Sequence, residues 1–135
     1  MSSRATGTFE ITRTPHPGYE TPQGPIIGRM SFAKTFSGDL QATSTVEMLS
    51  AGTDVRGSAG YVAIECVKGT LGGRSGGFVL QHCGTMNRGN AALTVAVIPD
   101  SGTGELAGLS GQMRIEIVET QHSYSFEYQL GAGAV

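Results

Sequence analysis

Two titratable side chains stand in the middle of apolar segments of this chain. Glu65 lies in "GYVAIECVKG" and His82 in "GGFVLQHCGTMN". A carboxylate is costly in apolar surroundings unless it is paired or protonated, and its pKa shifts accordingly. An imidazole beside it could pair with it and exchange a proton near neutral pH. The two residues are therefore candidates for catalysis; the alternative is a polar pair that only fixes the strand register.

The turn between the two segments determines whether these side chains meet. If Gly72-Gly73 forms a two-residue turn, Glu65 faces Leu80 and Ala63 faces His82. Glu65 and His82 then share one face as diagonal neighbours, about 7–8 Å apart at the backbone. The same face would present four residues that could shape a substrate pocket, namely Tyr61, Phe78, Leu80 and Met86. A three-residue turn would instead put His82 on the opposite face.

Three further residues are candidates for substrate contacts. Gln81 would face Glu65 if the turn had three residues. Glu47 in "TVEML" is another carboxylate among apolar neighbours, although it could simply face solvent. Arg88 in "NRGN" belongs to a hairpin turn and could meet an anionic substrate at a barrel rim. The three histidines lack metal-ligand spacing, and "GTGELAG" opens no helix that would meet a phosphate, so we expect no metal and no cofactor.

Period-two alternation and glycine-rich turns predict eight strands. They are Ala5–Thr14, Gly28–Ser37, Leu40–Leu49, Ala59–Lys68, Ser75–Asn87, Ala91–Ile98, Gln112–Val118 and Ser123–Leu130. Short connections make neighbouring strands antiparallel. The predicted fold is all-β, an eight-stranded antiparallel up-and-down barrel, with a two-sheet sandwich as the alternative. A barrel of this size either fills its lumen with side chains or holds one small ligand.

Composition narrows the remaining possibilities. A chain of 135 residues predicts one domain, with the barrel over residues 5–130, a proline-rich loop over 15–26 and a flexible tail over 131–135. The proline-rich loop could also serve as a lid. The net charge is −2 and the basic residues are scattered, so we expect no binding of nucleic acid. The chain has no long apolar run and no apolar N-terminal signal, so we expect a cytoplasmic protein that does not bind a membrane. Cys66 and Cys83 would lie roughly 13 Å apart, too far for a disulfide.

Several phrases resemble a known family. "GRMSFAKTFSGDL", "GSAGYVAIECVKGTLGGRSGGFVLQHCGTMNRG", "PDSGTGELAGLSG" and "HSYSFEYQL" look like a family of small uncharacterised bacterial proteins, which resemble the allene oxide cyclase barrel. That resemblance implies an eight-stranded barrel. Allene oxide cyclases steer ring closure of a fatty-acid epoxide inside an apolar barrel with the help of a glutamate, and dirigent proteins similarly guide reactive intermediates. Glu65 is the best match to such a glutamate.

These observations lead to one functional hypothesis and two alternatives. The first is a barrel that binds an apolar or amphipathic small molecule and acts on it as a cofactor-free isomerase or cyclase. In it, Glu65 handles the proton and His82 is its partner. The second is a non-catalytic carrier or sensor. The third is a structural module with a filled lumen, which could form a homo-oligomer through the apolar face of Val62, Ile64 and Val79.

Overall fold

The computed structural model describes residues 2–21, 24 and 26–131. This part of the chain forms nine strands and no helix, and hence no helix long and apolar enough to cross a membrane. The strands are β1 (Ser3–Tyr19), β2 (Ile27–Gly38), β3 (Leu40–Gly52), β4 (Ala59–Leu71), β5 (Arg74–Asn87), β6 (Asn90–Val97), β7 (Thr103–Gly104), β8 (Ser110–Val118) and β9 (Gln121–Gln129). The eight predicted strands are confirmed, and β7 is a short addition inside a predicted turn.

The sheet closes on itself into an eight-stranded antiparallel barrel. Its order is β1-β2-β3-β4-β5-β6-β8-β9, and β9 returns to pair with β1. The barrel prediction is therefore confirmed and the sandwich alternative is wrong, because β4 also pairs with β5 and leaves no break between two sheets. β7 pairs with the first residues of β5, at Gly76 and Gly77. Closure removes most of the exposed strand edges that an open sheet would carry.

One half of the lumen is filled by side chains. Alternate residues of each strand point inward, as the period of two requires. At the end where β3 and β5 begin, they form a continuous apolar cluster that includes Leu40, Leu71, Phe78, Leu80 and Phe126. Leu106 and Leu109, from the turn after β7, join this cluster and are fully buried. This end of the barrel is therefore closed.

The first strand is longer than its prolines suggest. Residues 15–19, predicted as loop, continue β1 and pair with β2 through Tyr19, with a register shift after His16. The pairing of β1 with β9 ends at Phe9, so among the described residues the later part of β1 pairs with β2 alone. Proline is tolerated on such an edge because its missing N–H can face the unpaired side. The rest of the predicted loop falls partly, and the predicted C-terminal tail almost wholly, outside the described residues.

Candidate functional site

The β4–β5 hairpin has the register that a two-residue glycine turn predicts. Leu71 pairs with Arg74, and both Gly72 and Gly73 have positive φ, which glycine adopts without strain. Counting outward from this turn, Glu65 pairs with Leu80 and His82 pairs with Ala63. The three-residue alternative is therefore wrong. Glu65 and His82 both point into the lumen.

Glu65 is fully buried and has three polar partners. The Nε2 of His82 donates to Oε1 at 2.7 Å, and the Nζ of Lys34 lies 3.2 Å from the same oxygen. The hydroxyl of Ser44 donates to Oε2 at 2.6 Å. All four residues are buried, and they come from strands β2, β3, β4 and β5. We call Lys34, Ser44, Glu65 and His82 the polar cluster.

The polar cluster keeps the carboxyl group ionised. Burial alone would raise the pKa of Glu65. The hydrogen bond from His82, the charge of Lys34 and the hydrogen bond from Ser44 outweigh burial, so the pKa lies below its ordinary value. An ionised carboxylate only accepts hydrogen bonds, so the Nε2 of His82 carries the proton that it shares with Glu65. The other ring nitrogen, Nδ1, is left for other contacts.

Lys34 and Ser44 are not among the site residues that the sequence predicts. The phrases "FAKTFSG" and "ATSTVEML" place both residues at the inward positions of alternating strands, where a polar side chain is unusual. That alternation is a weak signal, because the outward positions of the same strands are also polar. Lys34 is placed further by two aromatic rings, with its Nζ 4.6 Å from the ring centre of Phe9 and 5.7 Å from that of Phe36.

A cavity of about 360 Å³ lies on the other side of the polar cluster from the filled half of the lumen. Lys34 and His82 line it, and Glu65 does not, because both of its oxygens are covered by its partners. The rest of the lining is mainly apolar and includes Phe9, Ile115 and Ile117. His122, whose ring centre lies 5.2 Å from that of Phe9, also lines it. We call this space the deep cavity.

A second cavity of about 510 Å³ lies toward the open end of the barrel. Met48, Tyr61 and Leu93 line both spaces, and Val55 and Met86 line only the second one. We call it the mouth cavity. A ligand in the deep cavity would thus meet mainly apolar walls and only a few polar groups, among them Lys34 and His82. Sites with few polar groups in an apolar enclosure are typical of small-molecule binding.

The structure separates the predicted site residues into three groups. Glu65, His82 and Tyr61 lie together in the lumen, and Met86 lies at the mouth. Phe78 and Leu80 pack in the closed half, so they do not line the deep cavity.

The third group lies outside the lumen: Glu47, Gln81 and Arg88 are exposed. Glu47 accepts hydrogen bonds from Ser31 on the outer surface, and Arg88 occupies the β5–β6 turn with a positive φ.

The outer surface carries the remaining features that the sequence singled out. Val62 and Ile64 are exposed on β4, and Val79 is half-buried. Cys66 and Cys83 are free and exposed, and Cys66 pairs with Val79, as the predicted register requires. Within residues 2–21, 24 and 26–131, no group of three or more histidine, cysteine, aspartate or glutamate side chains could hold a metal ion.

Comparison with known proteins identifies relatives along nearly the whole chain. Residues 5–128 match the family model described as "Protein of unknown function (DUF3224)". A crystal structure of a protein of unknown function from this family, from Shewanella oneidensis MR-1, is similar, with 49% sequence identity and a TM-score of 0.90. The match covers 96% of this chain and 98% of the other. No curated protein matches. The resemblance to allene oxide cyclases stays a prediction.

Proposed function

The chain belongs to the DUF3224 family, and we propose that its barrel binds one small amphipathic molecule in the deep cavity. The observation that carries this proposal is the arrangement of Lys34 and His82, which line an otherwise largely apolar cavity while Glu65 is sealed behind them. An oxygen atom of the ligand would accept a hydrogen bond from the Nζ of Lys34. The apolar part would lie against Phe9 and Ile115 and extend toward the mouth.

The charge of the polar cluster favours an oxygen-bearing end group. Lys34 is positive and Glu65 is negative, but only Lys34 reaches the cavity. A ligand therefore meets a cation whose counter-ion is hidden behind it. Because the Lys34 side chain is buried, its charge binds a carboxylate, a sulfonate or a polarised carbonyl more strongly than it would at the surface.

Two fluorescent dyes test this binding function. 8-Anilinonaphthalene-1-sulfonate has an apolar body and one anionic group, and N-phenyl-1-naphthylamine has a similar body without charge. We expect both dyes to bind the unmodified protein. Lys34→Met should lower the affinity for the sulfonate dye by about tenfold or more, because a charge-assisted hydrogen bond is lost. The uncharged dye should bind Lys34→Met about as well as it binds the unmodified protein.

Lys68→Met is the matched control, because Lys68 is exposed on the outer face of β4. It removes the same charge without touching the lumen. Recognition by Lys34 would be contradicted if Lys34→Met and Lys68→Met lowered the affinity for the sulfonate dye equally. It would also be contradicted if Lys34→Met lowered the affinity for both dyes.

The orientation of His82 favours a second function, proton transfer on the bound molecule. A buried carboxylate that accepts the Nε2 proton holds the ring in one tautomer and leaves Nδ1 as the nitrogen that can accept a proton. Nδ1 of His82 could then remove a proton from the carbon beside a ketone. The electrons of that C–H bond would form an enolate whose oxygen lies on Lys34. Return of a proton from the protonated His82 ring to another carbon completes an isomerisation without a cofactor.

A further inference from the structure

Tyr61 stands at the boundary between the two cavities. Its half-buried side chain lines both the deep cavity and the mouth cavity. Within the described residues, nothing forms a hydrogen bond with its hydroxyl group. Burial, the nearby thiol of Cys83 and the charge of Glu65 raise the pKa of Tyr61, so the hydroxyl is neutral at physiological pH. Tyr61, Met48 and Leu93 line both spaces, so a ligand that passes from the mouth cavity to Lys34 passes beside this ring.

The ring lies where the side chain of residue 84 would otherwise be. Tyr61 pairs directly with Gly84 across β4 and β5, and both residues face the lumen. A Cβ atom at position 84 would lie 3.0 Å from Cδ1 and 3.1 Å from Cζ of the Tyr61 ring, and closer still to Cε1. These distances are too short for carbon atoms in van der Waals contact. Only glycine therefore lets the ring lie against β5.

We propose that Gly84 and Tyr61 act together as a size-selecting gate between the mouth cavity and the deep cavity. This inference rests on the proposed binding function and adds the device that determines which ligands reach Lys34. With glycine at position 84, the ring stays against the barrel wall and leaves the passage open. With any larger residue there, the ring must move away from β5 and into the passage. Tyr61 is thus a specificity-determining residue, and Gly84 positions it.

Substitutions at the two positions test the gate together. We expect Gly84→Ala to weaken binding of 8-anilinonaphthalene-1-sulfonate by about tenfold or more, because the displaced ring narrows the route to Lys34. Gly60→Ala is the matched control: Gly60 precedes Tyr61 on the same strand and borders the mouth cavity at a point where an added Cβ has room. A Cβ there would have its nearest neighbours at 3.6 and 3.8 Å.

A double-mutant cycle shows whether the effect of Gly84→Ala passes through the ring. When Tyr61 is replaced by alanine, no ring remains to be displaced, so adding Gly84→Ala should change dye affinity by less than about twofold. A tenfold loss that persists in the Tyr61→Ala background would overturn the gate, because the effect would then come from the strand itself. If the single variant Gly84→Ala bound the sulfonate dye as tightly as the unmodified protein, the gate would be overturned as well.

A readout without ligand separates this proposal from the binding function. In the unmodified protein, nuclear Overhauser effects should connect the Tyr61 ring protons to the Hα protons of Gly84. In Gly84→Ala the ring should instead show contacts to Ile115 or His122 across the lumen. Absence of the Tyr61–Gly84 contacts would overturn the gate even if the dye binds. If the Tyr61–Gly84 contacts are present but the unmodified protein binds neither dye, the binding function is contradicted. The ring contacts with Ile115 or His122 in Gly84→Ala then decide whether the ring is displaced as predicted.

Discussion

The Nε2 of His82 and the Oε1 of Glu65 lie 2.7 Å apart at the centre of the barrel, joined by a hydrogen bond between two neighbouring strands. The two residues differ in access: His82 lines the deep cavity, whereas Glu65 is fully buried. In the proposed function, His82 therefore takes the proton-handling role that the sequence analysis assigns to Glu65. A ligand bound as proposed would contact the imidazole directly, and the carboxylate would act on it only through its partners.

Replacing Glu65 by glutamine should make the barrel less stable and less sensitive to acid. Lys34 would lose its buried counter-ion, so we expect the free energy of unfolding to fall by about 3 kcal/mol at neutral pH. The pKa of Glu65 is lower in the folded protein than its ordinary value of 4.5. Its ionisation therefore stabilises the fold above that value, and this contribution is lost as the pH falls through the pKa of the folded state.

Thermal unfolding between pH 7 and pH 3 measures this effect. The melting temperature of the unmodified protein should fall toward that of Glu65→Gln as the solution becomes more acidic. Glu47→Gln is the control, since Glu47 is exposed and contacts Ser31 on the outer surface. A difference between Glu65→Gln and the unmodified protein that stays constant over the whole range would show that ionisation of Glu65 does not contribute.

Replacing His82 by glutamine should abolish proton transfer while keeping the polar cluster together. The glutamine amide can donate to Glu65 in place of Nε2, but it cannot take up a proton at neutral pH. The reaction to measure is conversion of 3-cyclohexen-1-one into 2-cyclohexen-1-one, followed by ultraviolet absorbance, with deuterium uptake from heavy water as a second signal. We expect a rate at least about 100-fold lower than that of the unmodified protein.

Gln81→Ala is a suitable control for this reaction, because Gln81 precedes His82 but is exposed. It should leave the rate unchanged. If the unmodified protein neither speeds the conversion of this ketone and of larger cyclic enones nor takes deuterium into them, proton transfer is excluded for that substrate class. The binding function would still stand on the dye measurements.

Replacing Tyr124 by phenylalanine should destabilise the closed end of the barrel. The Tyr124 hydroxyl accepts from the backbone N–H of Leu40 at 2.9 Å and lies 2.9 Å from the carbonyl oxygen of Ser37. Phenylalanine would leave these buried backbone groups without that partner, at a cost of about 1–3 kcal/mol. Urea unfolding should show this loss, whereas Tyr19→Phe should change stability by less than about 0.5 kcal/mol, because Tyr19 is exposed. Equal effects in the two variants would rule out a structural role for the Tyr124 hydroxyl.

Much of the fold is encoded in local patterns. The alternation of apolar residues gives the strands, and Gly72-Gly73 gives the register of β4 and β5, since both depend only on neighbours in the chain. The register in turn puts Glu65 and His82 on one face and keeps Cys66 away from Cys83. These relationships could be counted from the sequence alone. The extension of β1 through Pro15 could not be predicted from the sequence, because it depends on which edge of the strand stays unpaired.

Only the tertiary structure decided what surrounds Glu65 and whether the lumen is open. Lys34 and Ser44 lie 31 and 21 positions from Glu65 in the chain, and closure of the barrel brings them to the same carboxylate. Period-two alternation says which face a side chain takes, but not which side chains meet inside the lumen. That depends on the order and stagger of all eight strands. For the same reason, the sequence could not show that Phe78 and Leu80 fill one half of the barrel while Tyr61 borders an open cavity in the other.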